Sequence, residues 1–241
     1  MIWLRSAVFN AFFYAATILL LIPGIAVRLF APSRALWVAT LWGRTTLWGA
    51  RVICGIRWVV EGRENLPAGA ALIASRHESA FDTFVWLLLV PSCAYVVKAE
   101  LVRIPLLGPL MPLAGMIPVE RAAGPAALRR LAADVAAALD AGRQVVIFPE
   151  GTRVPHETPV ALQPGIALLA SRTGAAVVPV ATDSGRLWAR RAFRKYPGTV
   201  RIRIGKPIPA SLPRPEFMAQ LVANLQIPPV DETVCSDLPH F

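Results

Sequence analysis

The spacing of the apolar residues changes near residue 56 of this 241-residue chain. Before that point, residues 7–22 are almost wholly apolar, and residues 35–50 are apolar with tryptophan, threonine and arginine between them. After it, short apolar runs alternate with amphipathic stretches such as residues 128–139, where leucine and valine recur at helical spacing. The pattern predicts two N-terminal apolar helices followed by alternating strands and helices.

Alternating strands and helices favour an α/β domain with a mostly parallel, helix-covered sheet. We predict about six to seven strands, at residues 57–61, 71–75, 94–97, 115–119, 144–148, 175–180 and 199–204. Pro179 lacks the N–H that a central strand would use, so its strand is predicted to lie at an edge or to contain a bulge. The α/β domain is expected over residues 56–226, followed by a loose tail at residues 227–241.

The apolar N-terminal segment, residues 1–55, allows several interpretations. A signal peptide would need a small-residue cleavage site, and no convincing one is present. A spanning helix would need roughly 20 apolar residues, but the first run ends after about 16, at Pro23-Gly24. Five of the seven tryptophans lie in the first 58 residues, and arginines flank the first run on both sides. These features favour a two-helix membrane anchor in one leaflet, with ordinary buried helices as the alternative.

The composition favours lipid rather than nucleic acid as a partner. Hydrophobic residues make up 55% of the chain, charged residues 17%, and the net charge is +10. Such a basic, apolar chain suits an anionic membrane surface, and we find no motif typical of nucleic-acid binding. The three cysteines and three histidines show neither CxxC nor zinc-site spacing, so no metal or other cofactor is expected.

His77 and Asp82 stand five positions apart, where the strand pattern ending at Ser75 gives way to a helix pattern. Side chains at such a strand end are exposed above the sheet, and an aspartate there can orient an imidazole that acts as a base. The same segment also fits a helix cap, with Ser79 as the N-cap and Asp82 at the third helical position. The local sequence leaves both interpretations open.

Four loops follow predicted strands, and ligands of open α/β sheets collect at the carboxyl ends of the strands. One loop contains His77 and Asp82, and two others contain Lys98 and Arg121. Glycine lets backbone approach a ligand closely, and arginine matches the geometry of phosphate or carboxylate. The fourth loop contains Glu150, Gly151, Thr152 and Arg153. A surface turn with a solvated arginine is the plainer alternative for this loop.

Together these blocks resemble the glycerolipid acyltransferase family, and within it the bacterial 1-acylglycerol-3-phosphate acyltransferases. The family's H-x4-D box matches residues 77–82, and its FPEGTR block matches residues 148–153 in every position, about 70 residues later. Its other two blocks resemble residues 115–121, with Lys98 upstream, and residues 177–181. Order and spacing agree from about residue 62 to residue 207.

The resemblance implies a division of labour among these residues. His77 would take the proton from the attacking hydroxyl, and Asp82 would orient the imidazole. The acceptor is itself the nucleophile, so no serine or cysteine intermediate is required. The implied substrate-binding residues are Lys98, Arg121, Glu150, Gly151, Thr152 and Arg153.

The resemblance also implies the reaction and its setting. A fatty acyl group would pass from acyl-CoA or acyl carrier protein to the hydroxyl of 1-acylglycerol 3-phosphate, a lysophospholipid, and phosphatidic acid would form. No further cofactor is implied. The two N-terminal helices would lie in one leaflet, on the cytoplasmic face of the bacterial inner membrane.

Two positions depart from the family's usual pattern. Arg76 stands where asparagine is common, and Gln163 stands in a segment where many members have a lysine ahead of the glycine. These departures leave another lysophospholipid or an aminoacyl lipid open as the acceptor. A non-catalytic, basic lipid-binding module is a further alternative, but it leaves the pairing of His77 with Asp82 unexplained.

Overall fold

The computed structural model describes residues 1–120, 124–159 and 161–226, so the predicted tail lies outside the described residues. The helices are α1 (Ile2–Phe30), α2 (Ala35–Gly49), α3 (Phe81–Leu89), α4 (Leu110–Leu113), α5 (Gly124–Asp140), α6 (Gly165–Thr173), α7 (Ser184–Leu187) and α8 (Arg214–Asn224). The strands are β1 (Ile56–Glu61), β2 (Ala71–Ser75), β3 (Cys93–Lys98), β4 (Ile117–Val119), β5 (Gln144–Ile147), β6 (Val177–Thr182) and β7 (Gly198–Ile204).

The strands form one sheet in the order β1-β7-β6-β2-β5-β3-β4. Five neighbouring strands, from β6 to β4, run parallel to one another. At the other end of the sheet, β7 is antiparallel to β6 and β1 is parallel to β7. This architecture confirms the predicted mostly parallel α/β sheet. It also places the carboxyl ends of β2, β3, β5 and β6 along one edge.

Pro179 lies in an interior strand, so the prediction of an edge strand is wrong. β6 pairs with β2 through Ala74 and Pro179, and with β7 on its other side. The carbonyl of Pro179 accepts a hydrogen bond of 2.8 Å from the N–H of Gly205, just beyond the end of β7. The N and O of one strand residue point to the same side. The missing N–H therefore falls where the β6–β7 ladder ends, and it interrupts no central pairing.

Two apolar clusters cover the two faces of the sheet. One cluster joins Ile73 and Val146 of the sheet to Trp86 of α3 and also to Phe9 and Leu47 of the N-terminal helices. The other joins alternate strand residues to α5, α6 and α8. Successive residues of a strand point to opposite faces, which explains the two clusters. The N-terminal helices thus form part of the core on one face.

The predicted break at Pro23 does not occur, because α1 continues through it for 29 residues. The proline removes one helical hydrogen bond, but the helix continues on either side. At about 1.5 Å per residue, such a helix is longer than the roughly 30 Å hydrocarbon core. By length and composition, α1 is the one helix within the described ranges that could cross a membrane. The two-helix, one-leaflet anchor stays a prediction, and α2, with 15 residues, is too short to span alone.

Candidate active site

His77 and Asp82 lie together at the carboxyl end of the central strand β2. Nδ1 of His77 is 3.2 Å from Oδ2 of Asp82. An ionised carboxylate can only accept hydrogen bonds, so this contact assigns the proton to Nδ1 and leaves a lone pair on Nε2. The histidine lines a cavity, whereas Asp82 is only 2% exposed and lies behind it. This arrangement can orient an imidazole base toward a bound hydroxyl.

Asp82 also caps the turn that begins α3. Its Oδ2 accepts hydrogen bonds of 2.8 Å from the N–H groups of Glu78 and Ser79. The side chain of Ser79 accepts one of 3.1 Å from the N–H of Phe81. The helix begins at Phe81, one residue later than a Ser79 N-cap predicts. The cap and the paired histidine therefore coexist on the same carboxylate.

Ser184, which sequence reasoning missed, completes the surroundings of Asp82. Its buried hydroxyl donates a hydrogen bond of 2.5 Å to Oδ1 of Asp82, across 102 positions of sequence. Ser184 begins α7 directly after β6. The rule that ligands collect at the carboxyl ends of parallel strands could have singled out this loop as it did the others.

The FPEGTR segment packs directly against His77. The rings of His77 and Phe148 stack with centroids 3.9 Å apart. The backbone N–H of His77 donates to Oε1 of Glu150 at 3.1 Å, and its carbonyl accepts from the N–H of Val154 at 2.8 Å. Gly151 has a φ of +74°, a conformation that favours glycine. The tertiary structure thus joins the two motifs into one loop cluster.

Glu150 is placed behind this cluster rather than in the cavity. It is 5% exposed, and its Oε2 has no hydrogen-bond partner among the described residues. Burial raises the pKa of Glu150 to about 7, although hydrogen bonds from backbone N–H groups and the nearby charge of Arg76 oppose the shift. Gly151, Thr152 and Arg153 do line the cavity.

Arg76 is buried away from the cavity and holds a second carboxylate. Its Nε lies 2.7 Å from Oε1 of Glu78, as an ion pair. Glu78 also contacts Nδ1 of His156 at 3.1 Å and accepts from the N–H of Gly185 at 3.0 Å. Burial raises the pKa of Glu78, and the charges of Arg76 and His156 oppose the shift. Arg76 does not line the cavity beside His77. An arginine in place of the asparagine that is common in the family therefore changes the contacts of Glu78 and not the wall of the cavity.

The cavity beside His77 has a volume of about 500 Å³ and runs from the sheet edge to the N-terminal helices. Its polar end contains His77, Lys98 and Arg153. Burial lowers the pKa of the half-buried Arg153, the charge of Asp82 opposes this shift, and the charge of Arg190 adds to it. The other end is apolar and is lined from α1, α2 and α3 by Leu20, Leu21, Val38, Ala39, Trp42 and Leu87.

Two further arginines line the same cavity, Arg190 and Arg191. Sequence reasoning missed both, because they follow β6 by several residues and belong to none of the four motifs. Arg121, predicted to bind substrate, lies outside the described residues. Among the residues that the structure does describe, no group of three or more histidine, cysteine, aspartate or glutamate side chains could hold a metal ion.

Comparison with known proteins relates the chain to acyltransferases. A profile of the acyltransferase family matches residues 57–183. A 1-acyl-sn-glycerol-3-phosphate acyltransferase of Pseudomonas aeruginosa is 34% identical over 189 residues, which cover 78% of this chain and 74% of that protein. The chloroplastic 1-acyl-sn-glycerol-3-phosphate acyltransferase LPAT1 of Arabidopsis thaliana is 30% identical over 202 residues, and the aligned region is 55% of that protein.

The fold is also similar to that of a solved structure. The crystal structure of the 1-acyl-sn-glycerophosphate (LPA) acyltransferase, PlsC, from Thermotoga maritima matches with a TM-score of 0.73. The match covers 93% of this chain and 96% of that chain at 22% identity. At that identity the match supports the fold alone.

Proposed function

The chain belongs to the acyltransferase family, and from this premise we propose that it transfers a fatty acyl group to the free hydroxyl of 1-acylglycerol 3-phosphate, forming phosphatidic acid. The donor is acyl-CoA or acyl carrier protein. The observation that carries the proposal is one cavity with two unlike ends. One end has a paired histidine beside arginines, and the other is apolar and reaches the N-terminal helices. A phosphorylated lipid has a charged head group, which suits the end with the arginines, and a fatty acyl chain, which suits the apolar end.

The proposed reaction uses the lone pair on Nε2 of His77. The acceptor's hydroxyl oxygen attacks the thioester carbonyl carbon while Nε2 takes its proton. The C–O bond forms, the C–S bond breaks, and the thiolate leaves with the proton returned from the imidazolium. Asp82 holds the imidazole in the required orientation and stabilises its charged form. Ser184 fixes the other carboxylate oxygen by its 2.5 Å hydrogen bond.

The two ends of the cavity suit the two parts of the substrates. The apolar wall from α1, α2 and α3 would receive a fatty acyl chain, because burial of each CH₂ group contributes roughly 0.8 kcal/mol. Arg153 and Lys98 at the polar end would bind the acceptor's phosphate. Glu150, Gly151 and Thr152 shape the loop that carries Arg153, and Arg121 is proposed as a further phosphate ligand on the family's motif.

We place the protein on a membrane surface, at the cytoplasmic face, with α1 and α2 in one leaflet. Many large apolar side chains of α1 are exposed, among them Leu4, Ile18, Ile22 and Phe30. The helix packs on the α/β domain near both ends: Ser6 bonds Lys195, and a Cβ at Gly24 would lie 2.8 Å from Leu110. These contacts lie 18 positions, or about 27 Å, apart along the helix. A helix so attached lies along the domain, which supports an anchor that dips rather than crosses.

The decisive experiment is acyl transfer by the purified protein in detergent micelles, with labelled acyl-CoA and acyl carrier protein as donors. We expect phosphatidic acid from 1-acylglycerol 3-phosphate, and faster turnover than with other lysophospholipids or with aminoacyl lipids. A preference for another acceptor would show that this acceptor, and not 1-acylglycerol 3-phosphate, is the substrate. The absence of transfer to any acceptor would contradict the enzyme itself.

The variant His77→Ala tests the proposed base. We expect turnover to fall by about 10²- to 10⁴-fold. The melting temperature should change little, because the His77 ring lines a cavity and its backbone bonds persist. Turnover and thermal unfolding in the same micelles check both statements. Wild-type turnover in a folded variant would remove His77 from the mechanism.

A further inference from the structure

The segment that follows α7 brings two additional guanidinium groups to the mouth of the cavity. Arg190 and Arg191 both line it, together with His77 and Arg153. Nη1 of Arg190 donates a hydrogen bond of 3.0 Å to the carbonyl of Arg153. The two arginines therefore belong to the same loop cluster as the FPEGTR segment, although they lie outside every motif of the sequence.

The charge of Asp82 acts on Arg153, but no described carboxylate forms an ion pair with the three arginines at this mouth. Elsewhere on the same part of the chain, Arg186 and Arg201 do pair, with Asp183 at 3.5 and 3.4 Å. A cleft lined by charges of one sign attracts ions of the opposite sign, so this mouth suits an anionic ligand.

The backbone that carries these side chains is strained at Arg191. Arg191 has a φ of +57°, in the left-handed region that most side chains avoid. Such a conformation persists where the surroundings over-determine it. Here the segment is fixed by Lys195, whose buried ammonium bonds Asn10 of α1 at 2.6 Å, and by Trp188, which packs against Phe9. Strain of this kind is common at ligand sites.

We infer that Arg190 and Arg191, together with Arg153, are the residues that select the phosphomonoester head group of the proposed acceptor over the phosphodiester head groups of other lysophospholipids. A phosphomonoester carries about −1.5 to −2 charges at pH 7 and presents three acceptor oxygens. A phosphodiester carries a single charge and has lost one of those oxygens to the added group. Three guanidinium groups offer bidentate contacts from several directions, and the three terminal oxygens of a monoester can accept more of them than the two of a diester.

The inference rests on the proposed function, because it assigns the head group of that function's acceptor. It adds to the phosphate contacts proposed for Arg153 and Lys98, because it assigns head-group selectivity to two arginines that lie outside the motifs. Arg190 and Arg191 lie at the rim, with exposed side chains, where an added head group beyond the phosphate would have to pass. They therefore act on selectivity as well as on affinity.

The test measures binding of lysophosphatidic acid and of lysophosphatidylglycerol, without acyl donor, to detergent-solubilised protein. The double variant Arg190→Gln/Arg191→Gln should bind lysophosphatidic acid at least about tenfold more weakly. Its affinity for the phosphodiester should change much less. The control is Arg194→Gln, which removes one positive charge from an exposed neighbouring arginine that packs over Trp3 and Tyr196 outside the cavity.

A charge-retaining variant separates selectivity from a folding defect. The variant Arg190→Lys/Arg191→Lys should recover part of the affinity for the monoester. Its melting temperature should equal that of the glutamine variant. Equal loss for both lipids, equal loss in the Arg194 control, or undiminished binding by the glutamine variant would each overturn the inference.

Turnover assays on the same samples keep the two proposals distinguishable. Acyl transfer with an unchanged monoester preference in the glutamine variant overturns this inference and leaves the proposed function intact. Selective loss of monoester binding supports the inference even where no donor gives transfer, and the missing transfer then contradicts the proposed function alone.

Discussion

At the scale of single residues, the carboxylate of Asp82 links local folding to chemistry. It accepts from two backbone N–H groups, from Ser184 and from His77. Removing it would leave several buried donors without partners, each at a cost of about 1–3 kcal/mol. Loss of activity in an Asp82 variant would therefore mix a chemical and a structural effect, whereas His77 can be removed more cleanly.

Glu150 supplies a pH-dependent prediction at the same scale. Burial raises the pKa of this carboxyl from 4.5 to about 7. Between these values the folded protein retains a proton that the unfolded chain releases. The protonated carboxyl of Glu150 therefore makes its full contribution to the free energy of unfolding below pH 4.5. This contribution, on the order of 3 kcal/mol, is lost as the pH rises through about 7.

Urea unfolding in micelles at pH 5 and pH 8 measures this contribution. In Glu150→Gln, which cannot ionise, we expect a smaller decrease in stability from pH 5 to pH 8 than in the wild type. Glu64→Gln, at an exposed carboxyl, is the matched control. Parallel pH dependences in the wild type and Glu150→Gln would refute the assignment.

At the scale of elements, α1 is held to the α/β domain by a buried lysine. Lys195 is 4% exposed, and its ammonium donates to Asn10 at 2.6 Å and to the carbonyl of Phe193 at 3.0 Å. It also lies 5.6 Å from the ring centres of Phe9 and Trp188. Burial lowers the pKa of Lys195. These contacts couple the N-terminal half of α1 to the segment that carries Arg190.

The variant Lys195→Met should weaken this coupling. The replacement fills a similar volume but leaves the Asn10 amide and a buried carbonyl without their partner, so we expect a loss of roughly 2 kcal/mol in the free energy of unfolding. Thermal unfolding and limited proteolysis of the segment at residues 189–197 would measure it. Lys206→Met, at an exposed lysine outside this segment, should change neither quantity, and equal behaviour of the two variants would contradict the coupling.

At the scale of the whole molecule, the cavity exists only because the N-terminal helices dock on the sheet. Its apolar wall comes from α1, α2 and α3, and its polar end comes from the strand-end loops. The two N-terminal helices also approach each other closely, since a Cβ at Gly49 of α2 would lie 2.2 Å from the ring of Phe12 of α1. The N-terminal helices and the candidate active site are therefore one structural unit, as the proposed passage of a lipid chain from the membrane to His77 requires.

The variant Ala39→Trp tests the apolar end. Ala39 lines the cavity from α2, so an indole at this position would occupy the volume proposed for the acyl chain. We expect turnover with long-chain donors to fall more than turnover with short-chain donors. Ala15→Trp, at an exposed position of α1, is the matched control. A uniform decrease for all chain lengths would show that the cavity does not hold the acyl chain.

The sequence by itself determined the elements and the local motifs. Period-2 and period-3.6 spacing predicts strands and helices because side chains alternate or wind within a few residues. The same local range covers His77 and Asp82, which face each other across one turn. The family's two strongest blocks are contiguous in sequence, and so they too could be recognised from the chain alone.

Only the tertiary structure decided which distant residues meet. Spacing does not encode strand order, and so it could not show that Pro179 lies in an interior strand at the end of a ladder. Spacing also could not show that Ser184 contacts Asp82, or that Arg190 and Arg191 line the cavity, because these contacts depend on β6 lying beside β2. The continuity of α1 through Pro23 likewise required the packing of Gly24 and its neighbours on the domain. Local patterns select elements, whereas long-range packing places side chains from separate elements within bonding distance.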